Sequence, residues 1–251
     1  MTPKRAIVRE PGDNYTRCIS SHPQRHTVDV AKARAQHALY CKTLTDLGLE
    51  VIKLPRDDQR ADSCFIEDNA VVFGGRALIC RMARESRRGE ESDVEKALSE
   101  YVYSRRAKAP ATVEGGDVIH LADRLISGVT QRTNLAGVEQ MRDWLEVEVG
   151  AIEDLRIVHL KSYVNSLGET HFMSTAKFVN HPLLRIRETI IVHDDDWYST
   201  NNITIGDTVI MPAGFPRTEE LVKKAGFRTI SLEMTEFPKC EGALTCLSIL
   251  L

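Results

Sequence analysis

The chain has 251 residues, of which 42% are hydrophobic and 27% are charged, a composition typical of a soluble globular protein with its own core. The net charge of −3 provides no basic field for nucleic acid or an anionic membrane, and no apolar run exceeds strand length, which excludes a membrane span. The N-terminus enters a strand without the apolar core of a signal peptide, so we expect a cytoplasmic protein.

In chain order the hydrophobic pattern predicts alternating strands, helices and hairpins. The first half is predicted to contain a strand (5–9), a mobile polar loop (17–26), a helix capped by Thr27 and ending near Leu47, a strand (49–54), a hairpin (63–80) and a helix (92–103). The second half is predicted to contain a hairpin (113–128), a helix (134–145), a strand (155–160) that carries His159, a third hairpin (201–212) and a helix (217–225).

A unit of hairpin, helix and strand thus recurs about every 40–50 residues, a period that indicates a propeller or a repeat array. Each hairpin begins with polar residues: Glu67-Asp68, then Glu114 with Asp117, then Asn201-Asn202. A single such group is explained by polar residues that cap a strand. Three groups at the same place in the unit favour a ring whose hairpin entrances meet at a central site.

Glu67 and Asp68 lie in an otherwise apolar segment, where a carboxylate must be paired or hydrogen-bonded. In a strand, the two side chains would point to opposite faces. A buried acidic pocket is a natural host for a cation, and a planar guanidinium binds carboxylates through two hydrogen bonds. Internal ion pairs between arginine and aspartate explain the segment equally well.

Cys246 follows the small-residue turn Gly242-Ala243 and opens a short apolar strand, where it is either a nucleophile or a buried apolar side chain. His159 is either a core histidine or a general base. If Glu114 orients His159, the three residues form the nucleophile, base and orienting acid of an activated cysteine. A zinc site made of His159, Cys246 and carboxylates is the alternative, although no ligand spacing supports it.

The six cysteines contain no Cys-x-x-Cys pair, and disulfides are uncommon in a chain of this size without a signal peptide, so a buried thiol is expected at each position. Arg87 and Arg132 stand in predicted loops, where they are either solvated surface charges or a clamp for a carboxylate.

Six motifs that occur in order resemble the dimethylarginine dimethylaminohydrolase family of the guanidino-modifying (pentein) superfamily. They are Phe65-Ile66-Glu67-Asp68, Ser86-Arg87-Arg88-Gly89-Glu90, Glu114-Gly115-Gly116-Asp117, Gln131-Arg132-Thr133-Asn134, His159-Leu160-Lys161-Ser162 and Leu244-Thr245-Cys246-Leu247-Ser248. The resemblance covers nearly the whole chain. It implies one domain over residues 1–251, an α/β fold that is a five-bladed pseudo-symmetric propeller of ββαβ-type units around a central channel.

The resemblance also implies a role for each site residue. Cys246 would be the nucleophile and His159 the general acid and base, with Glu114 orienting the histidine. The substrate-binding residues would be Glu67 and Asp68 for the guanidinium, Asp62 for the α-amine, Phe65 for the aliphatic part, Arg87 and Arg132 for the α-carboxylate, and backbone carbonyls at Cys240 and near Ser20 for the amine. The loop 17–26 would be a lid.

The implied reaction is hydrolysis of the guanidinium C–N bond of an N-methylated arginine through a thiouronium on Cys246, which gives citrulline and an alkylamine. No metal and no organic cofactor would be needed, and a thiol with a pKa of about 8.5 would be activated when the cationic substrate arrives. Arginine and agmatine deiminases of the superfamily carry His-x-Asp, whereas this chain has His159-Leu160-Lys161.

Several alternatives stay open. The protein could instead be a deiminase or hydrolase of arginine, citrulline or another guanidino or ureido compound, or a binding protein on the same propeller. Ser20 and the pair Cys240-Glu241 depart from the residues usual in the family, and all three lie at the amine end of the implied site. We expect a monomer or a homodimer that binds a small guanidino amino acid.

Overall fold

A computed structural model describes residues 3–251, which form five three-stranded sheets and four α-helices. The strands are β1 Arg5–Val8, β2 Glu50–Lys53, β3 Ala70–Phe73, β4 Arg76–Ile79, β5 Tyr103–Arg106, β6 Val118–His120, β7 Arg124–Val129, β8 Glu148–Glu153, β9 Val164–Leu167, β10 His171–Thr175, β11 Glu188–Val192, β12 Ile203–Ile205, β13 Thr208–Pro212, β14 Arg228–Leu232 and β15 Ser248–Leu250. The helices are α1 Val30–Asp46, α2 Glu91–Leu98, α3 Leu135–Leu145 and α4 Pro216–Lys224.

All five sheets have the same topology, in which the first strand is antiparallel to the middle strand and the third is parallel to it. The first strands begin at residues 70, 118, 164, 203 and 248, so the predicted repeat is confirmed. The predicted five-bladed α/β propeller is confirmed as well. One blade combines β15 with β1 and β2, which closes the ring, since Ala6 pairs with Leu250 and with Val51.

A short 3-10 turn precedes the first strand of every blade. The five turns cover Ile66–Asn69, Gly115–Asp117, Leu160–Ser162, Asp194–Thr200 and Thr245–Leu247. The turn at 66–69 packs against those at 115–117 and 245–247, and the turn at 160–162 packs against those at 115–117 and 194–200. We call these five segments the turn ring. It brings the polar hairpin entrances together, as the sequence predicted.

Several element boundaries differ from the prediction. Helix α1 is capped by Asp29, whose side chain accepts a hydrogen bond from Lys32 N, whereas Thr27 belongs to a preceding 3-10 turn. Helix α2 ends at Leu98, and Tyr103 lies on β5 with 81% of its surface exposed. The long predicted helix was wrong because the turn between α2 and β5 contains no proline or glycine to mark it.

The predicted strand assignments around the site are also corrected. Glu67 and Asp68 lie in a 3-10 turn rather than in a strand. His159 precedes the 3-10 turn at 160–162, and the strand in that region is β8, which ends at Glu153. The hairpin β9–β10 was not predicted, because polar residues such as Asn165 and Ser166 interrupt the apolar alternation. In the described part of the chain, the connection between β10 and β11 has a 3-10 turn at Pro182–Leu184 and no α-helix.

Cys18 and Cys240 form a disulfide across 222 residues of sequence, so the prediction of a buried free thiol at each cysteine was wrong for this pair. The two Cα atoms are 5.7 Å apart. Cys41, Cys64, Cys80 and Cys246 are free and buried, as predicted. The spacing of the cysteines gave no sign of the bond, because two turns distant in sequence meet only after the ring closes.

Among residues 3–251, none of the helices has the length and apolar character needed to cross a bilayer.

Candidate active site

His159 and Glu114 form the centre of the candidate site. The imidazole Nε2 of His159 lies 2.9 Å from Glu114 Oε2 and 3.7 Å from Asp68 Oδ1, and the Glu114 carboxylate is fully buried. The glycines of Glu114-Gly115-Gly116 permit this closeness. A Cβ on Gly116 would lie 2.8 Å from His159 Nδ1, and one on Gly115 would clash with the carbonyl oxygen of Glu67.

The carboxylates around His159 keep its ring protonated. Burial alone would lower the pKa of His159, but Asp68, the hydrogen bond to Glu114 and the charge of Asp117 outweigh it and raise the pKa to about 9. Asp117 also fixes the following turn, since its carboxylate accepts hydrogen bonds from Leu160 N at 2.9 Å and Thr130 Oγ1 at 2.8 Å. At neutral pH the side chain is therefore an imidazolium, the form that a general acid requires.

Both carboxylates of the Glu67-Asp68 pair have fixed partners. Asp68 accepts hydrogen bonds from Gly116 N at 3.0 Å and from Arg87 Nη1 at 2.7 Å. Glu67 accepts them from Lys161 Nζ at 2.5 Å and from Thr245 Oγ1 at 2.8 Å. The alternative of internal ion pairs is thus present in the structure. A carboxylate has about four acceptor positions, so each retains capacity for a guanidinium.

Cys246 lies in the turn ring two residues before β15, with 8% of its surface exposed. Burial, followed by the charges of Glu67 and Asp68, raises the pKa of its thiol well above the ordinary value. Without a bound cation the thiol of Cys246 is therefore neutral. Its pKa lies above the ordinary thiol value that the sequence analysis expected. The preceding turn is constrained, because a Cβ on Gly242 would clash with the ring of Phe65 and Tyr198 Oη donates to Gly242 O at 2.9 Å.

The two predicted carboxylate-binding arginines differ in their surroundings. Arg87 is buried, and each of its three guanidinium nitrogens donates: Nε and Nη2 to Glu90, and Nη1 to Asp68. The alternative of a solvated surface charge is wrong for Arg87. The Nε of Arg132 is buried 3.8 Å from Glu114 Oε2 and has no hydrogen-bond partner within residues 3–251. Of these two arginines, Arg132 is therefore the one with a guanidinium nitrogen that makes no hydrogen bond to the described residues.

Asp62 and Phe65 lie beside each other at the other end of the candidate site. Asp62 is buried, burial raises its pKa, and its carboxylate accepts a hydrogen bond from Ile19 N at 3.2 Å. Phe65 is buried and packs edge-on against Tyr15, with ring centroids 6.0 Å apart. An acid and an aromatic face are thus adjacent here, a suitable surface for an ammonium and an aliphatic chain.

The residues that depart from the family pattern hold the loop 17–26, which the sequence analysis predicted to be a lid. Ser20 Oγ donates to Lys239 O at 2.9 Å. Glu241, which has a left-handed backbone with φ of 57°, accepts hydrogen bonds at Oε1 from Ser21 N at 2.7 Å and Ser21 Oγ at 2.6 Å. Together with the bond between Cys18 and Cys240, these contacts attach the loop to the segment that leads to Cys246.

Sequence reasoning missed three residues that contact the predicted ones, namely Glu90, Lys161 and Thr245. Glu90 and Thr245 stand inside the quoted motifs, so their positions were available, but their partners were not. Lys161 was noted only as the residue two places after His159. The signal that could have found it is a lysine in a segment otherwise buried, which requires a carboxylate partner.

Asp68, Glu114 and His159 each offer one donor atom, and these atoms lie within 4.8 Å of one another. A cation already occupies this cluster, because Arg87 Nη1 lies 2.7 Å from Asp68 and 3.9 Å from Glu114. The imidazolium of His159 supplies a second positive charge. The donor set is therefore neutralised by side chains of the chain itself, and we do not assign it as a metal site.

Comparison with known proteins places the chain in a family. Residues 4–194 match the profile described as N,N dimethylarginine dimethylhydrolase, eukaryotic. The N(G),N(G)-dimethylarginine dimethylaminohydrolases of Pseudomonas aeruginosa and Streptomyces coelicolor are each 33% identical to this chain over 99% of its length, and it covers 96% and 97% of theirs.

Comparison with solved structures leads to the same family. A cysteine-to-serine variant of the Pseudomonas aeruginosa enzyme in complex with citrulline superposes with a TM-score of 0.96, at 30% identity and with all of both chains covered. The N-terminal domain of ArgZ, an arginine dihydrolase from cyanobacteria, shares the fold, with a TM-score of 0.87 at 21% identity over 98% of this chain and 96% of that one. The chain therefore belongs to the dimethylarginine dimethylaminohydrolase family and is a hydrolase with a cysteine nucleophile.

Proposed function

We propose that the protein hydrolyses the guanidinium C–N bond of an N-methylated arginine, with Cys246 as nucleophile and His159 as general acid and base. The observation that carries the proposal is the position of His159. Its imidazole is held 2.9 Å from Glu114 and 3.7 Å from Asp68, directly beside the turn ring that carries Cys246. Such a set meets the needs of nucleophilic catalysis at a cationic carbon.

In the first half-reaction, the guanidinium binds beside Glu67 and Asp68. Its positive charge offsets the two carboxylates that raise the pKa of Cys246, so the thiol loses its proton to solvent as the cation enters. The thiolate attacks the guanidinium carbon and forms the C–S bond. The C–N bond to the methylated nitrogen then breaks as that nitrogen takes a proton from His159, which leaves a thiouronium and an alkylamine.

In the second half-reaction, the neutral His159 accepts a proton from water, and the water oxygen attacks the thiouronium carbon. The adduct collapses as its hydroxyl proton passes to the departing sulfur, the C–S bond breaks, and Cys246 leaves as the neutral thiol of the resting site. The products are citrulline and, for dimethylarginine, dimethylamine. One water is consumed per turnover, and His159 ends in the imidazolium form that its carboxylate neighbours stabilise.

The amino-acid part of the substrate would bind at Asp62, Phe65 and Arg132. The unpaired donor of Arg132 suits the α-carboxylate, and the Asp62 carboxylate suits the α-amine, with carbonyls at Cys240 and near Ser20 beside it. Arg87 would join Arg132 at the α-carboxylate only after it leaves Asp68 and Glu90. The single-domain organisation over residues 1–251 and the cytoplasmic location belong to the same proposal.

Deimination of arginine is the competing reaction. The position where deiminases have an aspartate is Lys161 here, and its ammonium pairs with Glu67, so no additional carboxylate faces the second guanidine nitrogen from this position. This favours a nitrogen that carries methyl groups over one that must be held by hydrogen bonds.

The test is a panel of guanidino and ureido compounds with detection of citrulline, ornithine and each amine. Release of methylamines with citrulline is expected, at rates well above the release of ammonia from arginine. If ammonia from arginine or agmatine is the dominant product, the enzyme is a deiminase. If ornithine forms from citrulline, it is a ureido hydrolase.

A further inference from the structure

Lys161 is a buried lysine to which the mechanism above gives no task. It follows His159 by two residues, has 4% of its surface exposed, and contacts Glu67 Oε1 through Nζ at 2.5 Å. A lysine is rarely buried, because its charge loses solvation and its long side chain loses conformational freedom. A buried lysine therefore requires an anionic partner, and the partner of Lys161 is Glu67.

The contact extends into a chain of hydrogen bonds across the turn ring. Glu67 Oε2 accepts from Thr245 Oγ1 at 2.8 Å. Thr245 N donates to Asn201 Oδ1 at 2.9 Å, and Asn201 Nδ2 donates to Thr245 Oγ1 at 3.1 Å. The chain Lys161–Glu67–Thr245–Asn201 thus connects the segment after His159 with the turn of Cys246, and it gives the polar entrance at Asn201 a function.

This arrangement fixes both oxygens of Glu67. One acceptor position on each oxygen is filled, by the ammonium and by the hydroxyl, and one on each remains. Two free positions on one rigid carboxylate match the paired N–H groups of a guanidinium. A carboxylate held on both sides needs no reorganisation when the substrate enters.

The charges that face Glu67 make its ionisation depend on Lys161. Asp68 lies next to it in the same turn, Thr245 and the Cys246 thiol face it from the turn at 245–247, and Tyr40 faces it from α1. Burial and the charge of Asp68 raise the pKa of Glu67, whereas Lys161 and Thr245 lower it, and Lys161 is the only cation in this set.

We propose that Lys161 is a positioning residue that holds Glu67 as an oriented carboxylate for the substrate guanidinium. The inference rests on the proposed function for the identity of the cation, but the state of Glu67 can be measured without any substrate. Lys161 does not touch the reacting atoms and acts through Glu67. Replacing it with an uncharged residue of similar length leaves a buried carboxylate with no cation, and such a group neutralises itself by taking a proton.

The first measurement is infrared spectroscopy of the unliganded protein. At pH 6 to 7, the difference spectrum of Lys161→Met minus wild type is expected to gain a protonated-carboxyl band, which should be missing from the difference spectrum of Lys161→Met/Glu67→Gln minus wild type. Lys161→Arg, which keeps the charge, is expected to lack the band. Lys177→Met is the control for loss of a lysine, because Lys177 pairs with Asp154 at 2.8 Å outside the turn ring and Arg156 still pairs with that carboxylate when Lys177 is removed. A spectrum of Lys161→Met without the band overturns the proposal.

The second measurement is calorimetric binding in a Cys246→Ser background from pH 6 to 9. Dimethylarginine is the cationic probe and citrulline the neutral one. For Lys161→Met the affinity for dimethylarginine is expected to fall about tenfold for each pH unit below the new pKa of Glu67, because binding then requires loss of a proton. Citrulline binding should change no more than about threefold, since a neutral ligand gains little from a carboxylate charge.

The remaining outcomes are distinct. Equal loss of both ligands at every pH would mean that Lys161 is merely structural and would overturn the proposal. If Lys161→Met does not fold, Thr245→Val removes the other fixed hydrogen bond and should lower affinity for the cation alone by about 5- to 10-fold, the loss of one charged hydrogen bond; an equal effect on citrulline counts against the proposal. If the wild type does not hydrolyse dimethylarginine, the proposed function fails while the infrared result still decides the role of Lys161.

Discussion

The two ends of the candidate site are built in different ways. The proposed guanidinium end, made of Glu67, Asp68, Glu114, His159 and Cys246, lies on the turn ring or directly beside it. The proposed amine end, made of Ser20, Asp62, Cys240 and Glu241, lies mainly on the loop 17–26 and on the segment before Cys246. Turns that precede strands are fixed by the sheets behind them, whereas the amine end depends on a disulfide and on exposed hydrogen bonds.

The difference indicates where the chemistry and the choice of substrate are set. In the proposed mechanism, the repeated part of the fold supplies the buried charges that activate sulfur and carry protons, so we expect a change there to alter the rate of bond breaking. The unrepeated loops would supply the contacts to the amino-acid part, so we expect a change there to alter which molecule is held. Four predictions test this difference between the two ends of the site.

The largest effect is expected at Cys246. Cys246→Ser should lower kcat by at least about a thousandfold, because the C–S bond cannot form, while substrate binding stays measurable. Release of dimethylamine and calorimetric binding provide the two measurements. Full activity in this variant would contradict the assignment of Cys246 as the nucleophile.

Glu114→Gln is expected to lower kcat by about a hundredfold, the typical contribution of a positioned acid and base. It removes one of the charges that raise the pKa of His159 to about 9, so that pKa should fall. Because the acid form of His159 is required, the alkaline limb of the pH profile should move to lower pH. A profile with an unchanged alkaline limb would contradict the role of Glu114; Glu85→Gln, an exposed ion-pair partner of Arg88, is the control.

Arg132→Ala should raise KM by about 10- to 100-fold for substrates with a free α-carboxylate, the value of a hydrogen bond to a charged group. Agmatine-like compounds, which lack the carboxylate, should be affected little. The ratio of the two KM changes is the measurement, and equal losses for both classes would remove Arg132 from the clamp. The same comparison with Arg87→Lys tests whether Arg87 takes part or stays with Asp68 and Glu90.

The smallest effect on activity is expected at the disulfide. Replacing Cys18 and Cys240 together with serine should leave kcat unchanged and raise KM by only a few-fold, because Glu241 still holds the loop 17–26. Stability should fall by up to about 5 kcal/mol, the chain-entropy value for so long a loop. Denaturant unfolding and steady-state kinetics check the two parts. A large fall in kcat would mean that the amine end also controls the chemistry.

Much of the guanidinium end was predictable from the sequence. Glu67-Asp68 and Glu114 stand at the entrances of repeated hairpins, and a closed ring of similar units must bring such entrances together. Cys246 was predicted from its place after a small-residue turn and from the family resemblance. The local backbone structure around these residues was harder to predict. The 3-10 turns that hold them resemble strand ends in the sequence pattern, so Glu67 and Asp68 were predicted in a strand and His159 at the end of another.

The partners of these residues were harder to predict than the residues themselves. Nothing in the sequence pairs Lys161 with Glu67, which belong to different blades, or Arg87 with Asp68, which lie on two different turns of one blade. The disulfide between Cys18 and Cys240 forms only when the ring of blades closes. The general rarity of disulfides in such chains led to the wrong prediction of free thiols at these two positions. Periodicity reports on one element at a time, whereas long-range pairs depend on the completed ring.

The pairing of β15 with β1 has a consequence for chain connectivity. Leu251 N donates to Arg5 O at 2.9 Å and Arg5 N donates to Leu251 O at 3.0 Å, so the two ends of the described chain lie side by side. The spatial order of the blades then does not depend on where the backbone is cut. A circular permutant, joined by a short linker and opened at the exposed Gly74-Gly75 turn, is expected to form the same ring. In that permutant the contact between the present ends would become local in sequence. The strand pairing with the largest sequence separation, which we expect to form last, would then lie in another blade.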